Sequence, residues 1–195
     1  MIGFPEDGLL YHGSYVEIRS IDFSLAERFL DFGQGFYVTS SLSQAASYVP
    51  SAVRKAKRKG LLPDAFQDKD GIVTCFQYKQ NPLLFVHFFQ AADEEWLHFV
   101  ACNRNRRLFP ELRKKYETVD IIGGKVADDQ TALTLNSYVS GAYGIPGTER
   151  ADRTAIELLE PERLTDQFCF RTQEAISSLQ YVRSEKYGYL RNHLR

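Results

Sequence analysis

Residues 11–14, YHGS, and 31–41, DFGQGFYVTSS, carry side chains suited to gripping a flat polar ligand. His12 offers an imidazole that donates or accepts. Gly13 has no Cβ, so a planar amide can approach its N–H and C=O. Ser14 adds a hydroxyl. In the second stretch, Gly33 and Gly35 permit a bulge or tight turn ahead of Tyr37. Strand alternation puts Tyr37 and Thr39 on one face and Phe36 and Val38 on the other. With the apolar pair in the core, Tyr37 faces outward or into a cleft, where its ring can stack on a heteroaromatic ring. Asp31 and Ser40 flank the same segment. Taken singly, each stretch also reads as an ordinary strand with a turn before it.

A third stretch, TDQFCFRT (165–172), puts Gln167 and Cys169 on one face and Phe168 and Phe170 on the other. Gln167 reads either as a site ligand or as a solvated strand end. In GGKVADDQ (123–130), Asp128 and Asp129 suggest a divalent cation, acid–base work or simple helix capping. No Gly-Lys-Ser/Thr follows, so a phosphate loop is not supported. His87, His98 and His193 show no metal spacing, and no metal site is expected. The runs RKAKRKG, RNRR and RKK read as solvated faces or as a nucleic-acid contact.

These residues need elements to hold them. Strands are expected at 8–12, 35–39, 72–78, 83–89, 118–124, 167–172 and 180–184. The 83–89 run is continuously apolar and so reads as well buried. Helices are expected from Ser40 or Ser41 to an interruption at Pro50, then on to Gly60. Others follow Asp93, with Trp96, Phe99 and Val100 as an apolar stripe, then at 128–141, 153–159 and, capped by Thr172, 173–179. Residues 185–195 carry no readable pattern. Strands and helices do not alternate strictly, which favours α+β over a doubly wound sheet.

The chain has 195 residues and a formal net charge of −1, so no global field draws it to nucleic acid or membrane. One domain over 1–195 is expected. Its three cysteines, Cys75, Cys102 and Cys169, are scattered in apolar surroundings and read as buried free thiols in a reducing compartment. With no basic leader and no long apolar run, a cytoplasmic protein without a membrane span is expected.

Together, LYHGS, DFGQGFYVTSSLSQA and DQFCFRTQEAISSL, with EEWLHFVACNR and DIIGGKVADD between them, resemble a bacterial domain-of-unknown-function family. That family lies in the ADP-ribosyltransferase superfamily, in its diphtheria-toxin and poly(ADP-ribose) polymerase-like branch, and the resemblance covers about residues 9–182. It implies an α+β fold whose split β-sheet core, surrounded by helices, binds NAD⁺. His12 would donate to the adenosine-side ribose, Gly13 would hold the nicotinamide carboxamide, and Tyr37 would stack on the nicotinamide. Gln167 occupies the position of the usual glutamate, with Ser14, Asp31, Gly35, Thr39 and Ser40 shaping the pocket beside Trp96 and Asn103. The implied activity is transfer of one ADP-ribose to a protein or nucleic-acid acceptor, as a toxin or defence effector with an antitoxin among its partners. A neutral amide cannot supply the full charge of a glutamate, which argues against polymer elongation. Glu157, Glu160, Glu162, Asp128 and Asp129 are the candidate bases. The alternatives are a non-catalytic NAD⁺ sensor and a plain interaction domain.

Overall fold

The computed structural model describes residues 2–26, 30–125, 129–160 and 164–193. Asp128 and Glu162 lie outside them. Seven strands are described: β1 Leu9–Ser14, β2 Phe36–Val38, β3 Ile72–Tyr78, β4 Val86–Phe88, β5 Ile121–Lys125, β6 Asp166–Phe170 and β7 Leu179–Lys186. The helices are α1 Leu42–Arg58, α2 Glu94–Arg104, α3 Pro110–Lys115, α4 Asp129–Val139, α5 Glu149–Leu159, α6 Gln173–Ser177 and α7 Tyr187–His193. The arrangement is α+β.

The strands form two sheets. One is antiparallel, in the order β1-β3-β7. The other runs β2-β6-β5-β4, with β4 parallel to β5 and the remaining pairs antiparallel. A bridge between Tyr11 and Thr39 links them, each backbone N–H donating to the other's carbonyl at 2.8 and 3.0 Å.

Alternation along the strands sorts three apolar clusters into layers. Leu10 and Phe76 meet Val38, Ile121, Phe168 and Phe170 between the sheets. Val73 packs outward against Ala45, Ala46, Val49 and Val53 of α1 and Leu190 of α7. On the far face of the second sheet, Ile122 and Cys169 pack against Trp96, Leu97, Leu135, Tyr138 and Ala155 from α2, α4 and α5.

Two expectations need correction, and the unread C-terminal segment takes on structure. α1 runs unbroken through Pro50. An internal proline costs about 3 kcal/mol, but the buried stripe Ala45, Ala46, Val49, Val53, Ala56 holds both halves against the sheet. The 83–89 run yields only three strand residues at the sheet edge, with Leu83 and Phe85 largely exposed. A continuous apolar run does not distinguish an edge from a centre. The C-terminal residues extend β7 and form α7, whose Leu190 completes the outer cluster.

Candidate functional site

The bridge at Tyr11 and Thr39 fixes what the adjoining backbone can do. In an antiparallel ladder, alternate residues turn their N–H and C=O to opposite sides. Tyr11 bonds Thr39, so Gly13 also presents its N–H and C=O toward β2 and not toward β3. Continuing that register would pair Gly13 with Tyr37. The pairing is not made: the strands part, and the imidazole of His12 reaches the Tyr37 carbonyl instead, Nδ1 to O at 2.7 Å. Gly13 is buried, with its amide edge facing this split.

Only a donor can engage a carbonyl, so His12 Nδ1 carries the proton and neutral Nε2 is left as an acceptor. Burial lowers the His12 pKa, and the Tyr37 carbonyl offsets this in part. The ring stacks on Phe36, with centroids 4.6 Å apart. Gly13 serves packing too: a Cβ there would lie 2.0 Å from the Ala45 carbonyl oxygen on α1.

Tyr37 is part-buried, and its side chain packs toward the α2, α4, α5 layer. Its hydroxyl donates to the Gly33 carbonyl at 2.6 Å and accepts from the Phe32 N–H at 3.1 Å. The phenol therefore closes the turn that leads into its own strand. Gly33 enables that turn with φ +86°, and Gly35 lets β2 approach β6, where a Cβ would lie 2.4 Å from Cys169 Sγ. Burial raises the Tyr37 pKa well above the phenol range, with Cys169 and Asp31 adding to it. It also pushes the Cys169 thiol up to about 12.

The register of β6 puts Gln167 beside Thr39 and opposite Gly124. Tyr37, Thr39 and Gln167 thus share one face of the sheet. His12 joins them from the other face, through the Tyr37 backbone. Where a Cβ on Gly124 would stand, Phe32 and Trp96 fill the space; the fully buried Trp96 indole N–H has no acceptor among the described residues.

Asp166, in the stretch TDQFCFRT, is not among the residues expected at the site. Its carboxylate accepts from the Ser40 N–H at 2.9 Å and from the Ser40 hydroxyl, and lies 3.0 Å from the Thr39 hydroxyl. Gln44 Oε1 accepts from the Thr165 hydroxyl and lies 3.1 Å from the same Thr39 oxygen. These bonds fasten the start of β6 to the β2–α1 junction. A cavity of about 350 Å³ opens beside them, lined by Ser40, Lys125, Thr165 and Asp166. An acid at a strand mouth next to a candidate ligand was the available signal.

Other expected pocket residues are committed elsewhere. Asp31 accepts from Arg104 at 2.7 Å, and the Asn103 amide donates to the Asp31 carbonyl, which anchors the turn on α2. Ser14 is buried and accepts weakly from the Val16 N–H. Glu157 is exposed on α5, and Glu160 follows its end in a left-handed conformation. Among the described residues, Glu94, His98 and Asp152 bring possible metal-ligand atoms within 4.8 Å of one another. Asp152 is already bonded to His98, the Tyr138 hydroxyl and the Gly147 N–H, which makes this group a knot joining α2, α4 and α5.

No helix among the described residues is long and apolar enough to cross a membrane. No curated protein and no solved structure matches the chain. A family model described as a protein of unknown function, DUF3990, matches residues 9–181. The parted strands, with His12, Gly13, Tyr37 and Gln167 around them, lie wholly within that match, and the chain belongs to the DUF3990 family.

Proposed function

We propose that the chain is a mono-ADP-ribosyltransferase that breaks the nicotinamide–ribose bond of NAD⁺ and passes ADP-ribose to a macromolecular acceptor. One observation carries the reading: β1 and β2 part with the Gly13 N–H and C=O turned into the gap, while His12 holds the Tyr37 carbonyl. A carboxamide needs one donor and one acceptor side by side, which is what the edge of one extended residue supplies.

In this reading Gly13 grips the carboxamide and the Tyr37 ring flanks the pyridine. His12 Nε2 accepts a ribose hydroxyl, where the resemblance alone had implied a donor. Gln167 positions the nicotinamide-side ribose. As the C1′–N bond breaks, its electron pair leaves with nicotinamide and positive charge grows on the ribose. The acceptor nucleophile then attacks C1′ and its proton passes to solvent. Asp166 is the next carboxylate along β6, and its bonds to Ser40 and Thr39 fix its negative charge at the mouth of the strand. Charge fixed in advance near a developing cation is the larger electrostatic contribution.

The test is incubation with NAD⁺ labelled in the adenylate and a cell lysate. Transferred label that disappears in a folded Tyr37→Ala variant is the expected result. Saturable NAD⁺ binding with neither transfer nor nicotinamide release would instead support a sensor, the reading that neutral Gln167 favours. No rise in melting temperature with NAD⁺ would remove both.

A further inference from the structure

A second cavity, of about 300 Å³, lies at the opposite end of β6 from Gln167. It is bounded by Gly33, Asn103 and three arginines, Arg106, Arg113 and Arg171, with Glu117 as the one carboxylate among them. The arginines come from three places in the fold: the segment after α2, the last turn of α3, and the residue following β6. Two of them belong to the basic runs RNRR and RKK.

A helix end explains only part of this. Cations suit the negative C-terminal ends of helices, and Arg171 does cap one, donating to the Tyr116 and Val119 carbonyls at 2.6 and 3.0 Å. Carbonyls do not neutralise a guanidinium. Among the described residues no carboxylate pairs with Arg171 or with exposed Arg113. Both line the same cavity, beside Cys102 and Thr172. Two guanidiniums that line one cavity without an ion pair among the described residues suit the fork geometry of phosphate oxygens.

We propose that this cavity is a second ligand site, for the phosphate of a single nucleotide unit, either free or within a strand. Its volume sits at the small end of ligand pockets, with room for one nucleotide and not for a dinucleotide. Four strand steps, about 13 Å, carry the chain from Gln167 to Arg171, and the cavity meets the proposed NAD⁺ site only at Gly33, whose carbonyl accepts from the Tyr37 hydroxyl. The inference does not depend on ADP-ribose transfer.

The test uses AMP and a fluorescein-labelled ten-residue deoxythymidine strand, titrated into the full chain and into Arg113→Glu and Arg113→Gln variants. The side chain of Arg113 is exposed and makes no hydrogen bond among the described residues, and unchanged melting temperatures would verify that the variants fold. Binding that weakens about tenfold or more in both variants is the expected result. AMP binding that displaces the strand identifies a free nucleotide as sufficient; binding of the strand alone identifies the polymer. Binding of neither probe, equal binding in the variants, or displacement of the probe by NAD⁺ overturns the proposal. The melting-temperature response to NAD⁺, read in parallel, reports separately on the site at Gly13.

Discussion

His12 and Tyr37 meet through the imidazole of one and the backbone carbonyl of the other, 2.7 Å apart, where β1 and β2 separate. The side chain stands in for the ladder bond that Gly13 would otherwise donate. The fold thereby keeps the two sheets joined while leaving the Gly13 peptide edge without a ladder partner among the described residues.

That edge depends on Gly13 having no side chain. Gly13→Ala would place a methyl 2.0 Å from the Ala45 carbonyl oxygen, and backbone cannot yield as a flexible side chain does. A loss of about 1–3 kcal/mol is expected from such overpacking, together with loss of the NAD⁺-induced rise in melting temperature. Urea denaturation measures the first and a thermal melt the second. A variant of unchanged stability would mean that α1 is not seated on β1 as described.

Tyr37→Phe separates the ring from its hydroxyl. The hydroxyl closes the turn through Gly33 and Phe32, so its removal leaves buried backbone groups short of a partner, for about 1–3 kcal/mol. The ring is kept, and NAD⁺ should still raise the melting temperature. Tyr37→Ala should lose both stability and that response. If the phenylalanine variant lost the response while keeping its stability, the hydroxyl would belong to the ligand and not to the turn.

Stability should fall with acid in the window set by His12. Its folded pKa is lowered from 6.5 by burial, so below neutrality the unfolded chain binds a proton that the folded chain refuses. The stabilisation is present above about pH 6.5 and is lost as pH falls from there toward the depressed folded value. His87, also lowered by burial, acts in the same direction. In His12→Gln the fall in melting temperature between about pH 7 and about pH 5 should be shallower than in the parent. An identical slope would show that His12 ionises without penalty.

Gln167→Glu returns a negative charge to the place where the proposed transition state is positive. Nicotinamide release should quicken, by about tenfold or more if electrostatics limits the step. Chromatographic assay of free nicotinamide reads this directly. A slower variant would mean that Asp166 already supplies the charge and that a second carboxylate repels it.

Much of this was legible along the chain. Alternation fixed the faces of β6, and Asp93, Ser41 and Thr172 each cap the helix that follows them. Gly33 does turn ahead of Tyr37. The rest depends on partners far away in sequence. Asp31 reads as a pocket residue until Arg104 is seen beside it, and Asp166 has no readable role until Ser40 and Thr39 close on it. The edge position of β4 follows from strand order, which local pattern does not encode. Continuity of α1 through Pro50 is tertiary in the same sense, since burial against β1 and β3 outweighs a local defect.

The three sulfhydryls occupy three different layers: Cys75 in the first sheet, Cys169 in the second, and Cys102 in the helical layer beyond. All are enclosed and held as unreactive thiols. Alkylating reagents should therefore modify each one only when its own layer breathes. The molecule carries three built-in chemical clocks, and peptide mass spectrometry of their labelling rates would reveal which part of the architecture opens first.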